Sequence, residues 1–306
     1  MKTKFLYIFF LVCSITFGQS KITSEEILIK NGEIELPGTL TFSKTKTPLV
    51  IWVHGSGNVD RNGNQGTAVK ANYIKQFRDE INKNNIAFFS YDKRTSNRKN
   101  APFFKGITFN HFIDDVKKVI NNFKNDKRFS EIILVGHSQG SLIAMMALDN
   151  VSKYISLAGP GEAIDKTLVK QVTAQNAPLG ETTAAHFKEL KETGAIKEVN
   201  PFLVSIFSKP NWAFLSSWAK LNPVEEIKKV NIPTLIINGT KDSQVKVKDA
   251  NALHKAKPSA KLVIIDNMNH VLKNIEKDAD NMKSYTTPDF PISTKLITTV
   301  VAFIKK

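Results

Sequence analysis

Glu131-Ile132-Ile133-Leu134-Val135-Gly136-His137-Ser138-Gln139-Gly140-Ser141-Leu142-Ile143-Ala144-Met145-Met146-Ala147-Leu148 is the stretch around which the rest of the chain arranges itself. A β-branched apolar run stops at glycine, a small polar pentapeptide follows, and apolar residues resume at helical spacing. The segment therefore reads as strand, sharp turn and helix. The turn has the form Gly-X-Ser-X-Gly. Ser138 must take a strained backbone conformation for its hydroxyl to project from such a turn, and Gly136 and Gly140 keep Cβ atoms out of the space where strand and helix nearly touch. The N–H of Gln139 and the positive end of the following helix then lie where negative charge would develop on a carbonyl attacked by that hydroxyl. The plainer reading is a serine that merely caps a helix; the strand–turn–helix context favours a nucleophile.

Working outward, apolar strands alternate with amphipathic helices. Ile27–Lys30 and Glu33–Leu36 flank Asn31-Gly32, a two-residue hairpin signal, and Pro37-Gly38 predicts a kink before Thr39–Phe42. Leu49–Val53 is continuously apolar, as in a strand buried on both faces. A helix is predicted from Ala68 to Asn82 and a strand from Ile86 to Tyr91. Phe109, Phe112, Ile113, Val116, Val119, Ile120 and Phe123 mark one face of a long helix. Tyr154–Ala158, Pro233–Ile237 and Leu262–Ile265 complete the strands, with helices near Val247–Ala256 and Ser293–Lys305. The stretch from Gly159 to Val230 breaks this rhythm, with helical patterns and no strand. The expected fold class is α/β, a mostly parallel sheet flanked by helices, with core segments 20–158 and 231–306 and a helical cap over 159–230.

The 306 residues are enough for one large domain. Residues 1–19 read as an export leader: Lys2 and Lys4 precede an apolar run from Phe5 to Phe17, shorter than the ~20 residues of a spanning helix, and Gly18-Gln19-Ser20 forms a small-residue exit. The lone Cys13 follows Val12 inside that run, which argues against lipidation. A periplasmic or secreted product without stable membrane insertion is expected, and without the leader it has no cysteine. The net charge of +15 comes overwhelmingly from lysine; the arginines are Arg61, Arg78, Arg94, Arg98 and Arg128, and no aromatic-basic motif for nucleic acid accompanies them.

A parallel sheet presents reactive groups in the loops after its strands. Four such loops carry chemistry: His54-Gly55-Ser56-Gly57, Gly136–Gly140, Gly239-Thr240-Lys241-Asp242 and Asp266–His270. A hydroxyl needs an imidazole to take its proton, and the imidazole needs a carboxylate to hold its tautomer. His270 is the expected base. His137 points away from its neighbour's hydroxyl, His111, His186 and His254 fall on helices, and His54 orders the glycine loop. Asp242 is the expected carboxylate, with Asp266 the alternative; Asp249 is placed on a helix in solvent. The N–H groups of Ser56 and Gln139 are the expected oxyanion hole. Asp60-Arg61 and Asp92-Lys93-Arg94 read as loop-bracing ion pairs, with an anion-binding Arg61 or Arg94 as the alternative. No ligand-spaced cluster or phosphate loop calls for a metal or organic cofactor.

On His54-Gly55-Ser56-Gly57, Gly136-His137-Ser138-Gln139-Gly140, Gly239-Thr240-Lys241-Asp242 and Asn269-His270, in that order, the chain resembles the α/β-hydrolase superfamily over essentially its whole mature length. Gly55-Ser56-Gly57-Asn58-Val59-Asp60-Arg61 and Tyr91-Asp92-Lys93-Arg94 are similar to an exported bacterial branch of serine aminopeptidase-like and acyl-esterase-like hydrolases. One departure is Thr95-Ser96-Asn97-Arg98, where related sequences commonly carry glycines, so this rim has its own shape. The resemblance implies Ser138 as nucleophile, Asp242 and His270 as partners, and Ser56 and Gln139 around the oxyanion. The expected substrate is a small or medium ester, or a short peptide in the alternative; a catalytically silent binding protein is the reading from another class.

Overall fold

A computed structural model describes residues 21–43 and 46–306; the expected leader lies outside them. Eight strands form one sheet: β1 (Thr23–Asn31), β2 (Ile34–Phe42), β3 (Thr47–Val53), β4 (Ala87–Tyr91), β5 (Phe129–His137), β6 (Lys153–Leu157), β7 (Thr234–Gly239) and β8 (Lys261–Ile265). Their order is β1-β2-β4-β3-β5-β6-β7-β8. The β1–β2 and β2–β4 pairs are antiparallel and all the others parallel.

The continuous apolar runs bury both faces of the sheet. Leu49, Ile51 and Val53 of β3 enter one core cluster while Val50 and Trp52 enter the other, and Ile132 and Leu134 of β5 oppose Ile133 and Val135 in the same way. That is the two-residue period of a strand read against two covering layers. Helices α1 (Tyr73–Asn82) and, at the end of the chain, α11 (Thr294–Ile304) cover the second face; α2 (Phe109–Phe123), α3 (Gln139–Met145) and α9 (Val247–Ala256) cover the first. Between β6 and β7 run α4 (Ile164–Gln175), α5 (Ala177–Thr193), α6 (Val204–Phe207), α7 (Trp212–Ala219) and α8 (Pro223–Lys228), with no strand; α10 (Asp280–Lys283) follows β8. Phe187, Leu190, Leu203, Phe207 and Leu215 of this stretch form their own small core, whereas Ile227 on α8 belongs to the main one. Among the described residues no helix is long and apolar enough to cross a membrane.

Two local expectations need correction. The hairpin turn is Gly32-Glu33 and not Asn31-Gly32: Asn31 pairs with Ile34, and the positive φ falls on Gly32 alone. β2 continues through Pro37-Gly38 to Phe42 and pairs with β1 along its whole length; only the turn before it departs from expectation. Helix α1 begins at Tyr73, because Val69 is bridged to Gln65 and Asn72 is left-handed at φ 48°.

Candidate active site

Strand order reverses around β3: the chain leaves it for β4 on one side and returns to β5 on the other. The crevice beyond such a switch point is where α/β sheets bind ligands. The loops after β3 and β5 meet there. Ser138 sits at φ 55°, ψ −124°, a region that side chains rarely occupy, with its N–H donating to the Leu157 carbonyl at 2.9 Å. The elbow is closed by backbone: a Cβ on Gly136 would lie 2.4 Å from the Gly140 oxygen, and one on Gly140 2.2 Å from the Val53 oxygen. The glycine loop is against the serine too, since a Cβ on Gly55 would be 3.1 Å from that of Ser138.

Asp242 and His270 come together at the ends of β7 and β8. His270 Nδ1 and Asp242 Oδ2 are 2.8 Å apart, and both residues are buried. The other carboxylate oxygen accepts from the N–H groups of Gln244 (2.8 Å) and Val245 (2.9 Å), so the carboxylate is fully engaged. Asn269 anchors the loop, donating to Asn281 (3.0 Å) and Ser284 (2.7 Å) and accepting from the Lys273 N–H (3.0 Å). Asp266 is exposed, which removes it as the partner of this imidazole.

Two histidines connect the loops. The sequence reading had His137 pointing away from the serine. It does more than that: its Nε2 donates to the His270 carbonyl at 2.8 Å, and its ring lies on Trp52 with centroids 5.8 Å apart. The loop that carries His270 is thereby tied to the residue before Ser138. His54 donates from Nε2 to the Tyr91 carbonyl, ordering the glycine loop as expected. Burial lowers the pKa of both, that of His54 to about 3, so both rings are neutral at ordinary pH.

Ser56, Ser138 and Gln139 line one cavity of about 770 Å³, walled by Phe112 of α2 and by Leu168, Phe214 and Trp218 of the inserted helices. Gln244 and Val245, two and three residues after Asp242, also border it; His270, 5% exposed, is not among the residues that line it. The N–H groups of Ser56 and Gln139 have no acceptor among the described residues. Nor does a hydrogen bond run from the Ser138 hydroxyl to the imidazole among them. Such contacts commonly tighten only when substrate is bound.

The basic loops are braces, but not all of them. Arg61 forks onto Asp92 and also reaches Glu26, and Arg94 forks onto Asp115 at 2.6 and 2.7 Å with a third bond to the His111 carbonyl. Both guanidinium groups are taken, against the anion-binding alternative. Two residues were misread. Asp249 is buried and not solvated: it caps α9 through the Lys246 N–H and accepts from the Gly161 N–H, both at 3.0 Å. Lys93 forms no ion pair among the described residues; it lines the cavity, 5% exposed, bonded to Gly55 and Gln139. Its position after the apolar run of β4, where a site loop belongs, was the available signal.

Sheet order, elbow and loop-borne site are together those of an α/β-hydrolase. Within that class the chain belongs to the BD-FAE family, whose model matches residues 38–256, a span that holds Ser138 and Asp242 and stops short of His270. It is similar to esterase EstD of Thermotoga maritima, 25% identical over 250 residues, which cover 78% of this chain and 58% of that protein; the chain thus spans less than two thirds of its relative. Solved structures of the same fold include the Pyrococcus furiosus esterase PF2001 (TM-score 0.59, 15% identity, 93% of this chain and 91% of that one). Est1E from Butyrivibrio proteoclasticus is another (TM-score 0.58, 17% identity, 92% and 99%).

Proposed function

We propose that the protein is an exported serine esterase. Ser138 Oγ attacks the ester carbonyl carbon, and its proton passes to His270 Nε2, the ring nitrogen not engaged by Asp242. The carbonyl oxygen becomes an oxyanion held by the N–H groups of Ser56 and Gln139. On collapse the C–O bond breaks and the alcohol leaves with the proton from His270. Water repeats the sequence, its proton going to His270 and then to Ser138 as the acid departs. The carboxylate of Asp242 fixes the tautomer and stabilises the imidazolium.

The observation that carries this reading is a strained serine lining a large cavity, on an elbow whose His137 is bonded to the loop of a buried His–Asp pair. Ile164, Leu168, Phe214, Leu215 and Trp218 give the chamber apolar walls suited to an acyl or aryl group. The relative's name, an esterase, leans the same way. The alternative within hydrolases is a peptidase acting on short peptides, and the alternative outside them a silent binding protein. A panel of unactivated alkyl esters and aminoacyl amides, run on wild type and Ser138→Ala, separates the three. Ester turnover that vanishes in the variant is expected. Faster amide than ester cleavage would make it a peptidase, and no serine-dependent turnover would leave a binding protein.

A further inference from the structure

We propose that Lys93 is a positioning residue that sets both donors of the oxyanion hole. The inference rests on the esterase reading above and extends it to a side chain which that reading does not use. The geometry of one peptide plane carries it. Lys93 Nζ donates to the Gly55 carbonyl at 2.7 Å and to Gln139 Oε1 at 2.8 Å. The Gly55 C=O and the Ser56 N–H belong to the same trans peptide and point in opposite directions. Pinning the oxygen to the ammonium therefore fixes where the Ser56 N–H aims, and no other described group accepts from that N–H. The second bond holds the side chain of Gln139, whose own N–H is the other donor. A single ammonium thus joins two loops, one after β3 and one after β5, at the two residues whose relative placement matters.

A loop containing Gly55 and Gly57 has little of its own to hold it, and Ser56 is exposed. Gln65 donates to the Ser56 carbonyl at 3.3 Å and Thr95 to the Gly57 carbonyl at 3.2 Å, but the bond to Lys93 is the one that restrains the peptide plane carrying the Ser56 N–H. It also polarises the Gly55–Ser56 peptide, and an amide whose carbonyl is charged-bonded donates more strongly from its N–H. The charged groups around Lys93 are few. Asp115 on α2 attracts it but is forked by Arg94, Asp92 is forked by Arg61, and His54 at the end of β3 is neutral. The Phe112 ring lies 4.8 Å from Nζ. Burial is the dominant influence and lowers the pKa to about 7, so the ammonium is lost as pH rises through that value. Protonated Lys93 is the active form, and kcat/KM is expected to fall as pH rises through about 7.

Lys93→Met keeps the shape and removes the bonds. It is expected to lower kcat about 100-fold with KM for p-nitrophenyl butyrate within threefold, because the oxyanion exists only in the transition state. An alkyl trifluoromethyl ketone, which forms the oxyanion on serine, should lose affinity by a similar factor, and the alkaline limb near pH 7 should disappear. Should Lys93→Met not fold, Gln139→Glu decides: it keeps the backbone N–H, gives the ammonium a carboxylate, and should move the alkaline limb up by about a pH unit or more. Stoichiometric phosphonylation of Ser138 in wild type checks the esterase reading separately. With that labelling intact, Lys93→Met showing wild-type kcat, ketone affinity and alkaline limb, or an unmoved limb in Gln139→Glu, would overturn the role of Lys93 alone.

Discussion

Ser138 holds φ 55° because the chain must turn from β5 into α3 within one residue, and the surrounding backbone leaves it no other course. The strain presents the hydroxyl to the cavity, while His137, on the other side of the turn, is driven inward to Trp52 and the His270 carbonyl. Under the proposed chemistry, Ser138→Ala and His270→Ala should each lower kcat by about 10⁴-fold or more, and Asp242→Asn by about 10⁴-fold. Asp266→Ala should stay within about threefold of wild type on this scale of loss. Steady-state kinetics on one ester would read all four; a lethal Asp266→Ala with a mild Asp242→Asn would reverse the carboxylate assignment. His54 makes a stability prediction. Its folded pKa of about 3 lies below the usual 6.5, so between those values the unfolded chain binds more protons and stability falls as pH falls. The slope is about 1.4 kcal/mol per pH unit for one group. His54→Gln, which keeps a donor for the Tyr91 carbonyl, should flatten urea-derived stability by about one proton across pH 3.5–6. An unchanged slope would mean that His54 is charged in the fold.

Among the elements, β5, its turn and α3 are the least tolerant of change. Gly140→Ala would drive a Cβ into the Val53 carbonyl; backbone cannot retreat as a flexible side chain can, so a loss of about 3 kcal/mol or more is expected, read as a lower urea midpoint at unchanged slope. The Arg94–Asp115 fork that ties the loop after β4 to α2 is buried on both sides. Asp115→Asn should cost about 3–5 kcal/mol by stranding the guanidinium. The exposed Lys83–Glu80 pair at the end of α1 gives the contrast: Lys83→Gln should cost about 0.5 kcal/mol or less. Comparable losses at the two sites in denaturant titrations would contradict this assignment of burial. Strands and most helices were legible because their periods are local: the run Leu49–Val53 requires two covering layers, and α2 shows its buried face in seven residues. What failed was decided by contacts that no hydrophobic period records. The start of α1 was lost to a bridge between Gln65 and Val69, and Asp249 was drawn inward by the Gly161 N–H, 88 positions away.

At the scale of the whole molecule, the order Ser, Asp, His after β5, β7 and β8 was readable because a parallel sheet brings its carboxyl-end loops to one side. The roles of Lys93 and His137 were not, since both depend on which loops touch: Lys93 meets Gly55 and Gln139, 38 and 46 positions away, and His137 meets His270 at a separation of 133. The same convergence builds the chamber of about 770 Å³ between the sheet and the inserted helices. If that space takes the acyl group, kcat/KM should climb from acetate to longer p-nitrophenyl esters, and Leu168→Trp should shift the preference toward shorter chains; an unchanged profile would place the acyl group elsewhere. The central claim is that the hydroxyl of Ser138 is made nucleophilic by His270. It is tested most directly by timing modification with an alkyl fluorophosphonate and mapping the adduct by peptide mass in wild type and His270→Ala. The expected result is one phosphonyl group on Ser138, formed about 10³-fold or more slowly without the imidazole. An adduct on another residue, or an equal rate in the variant, would contradict it.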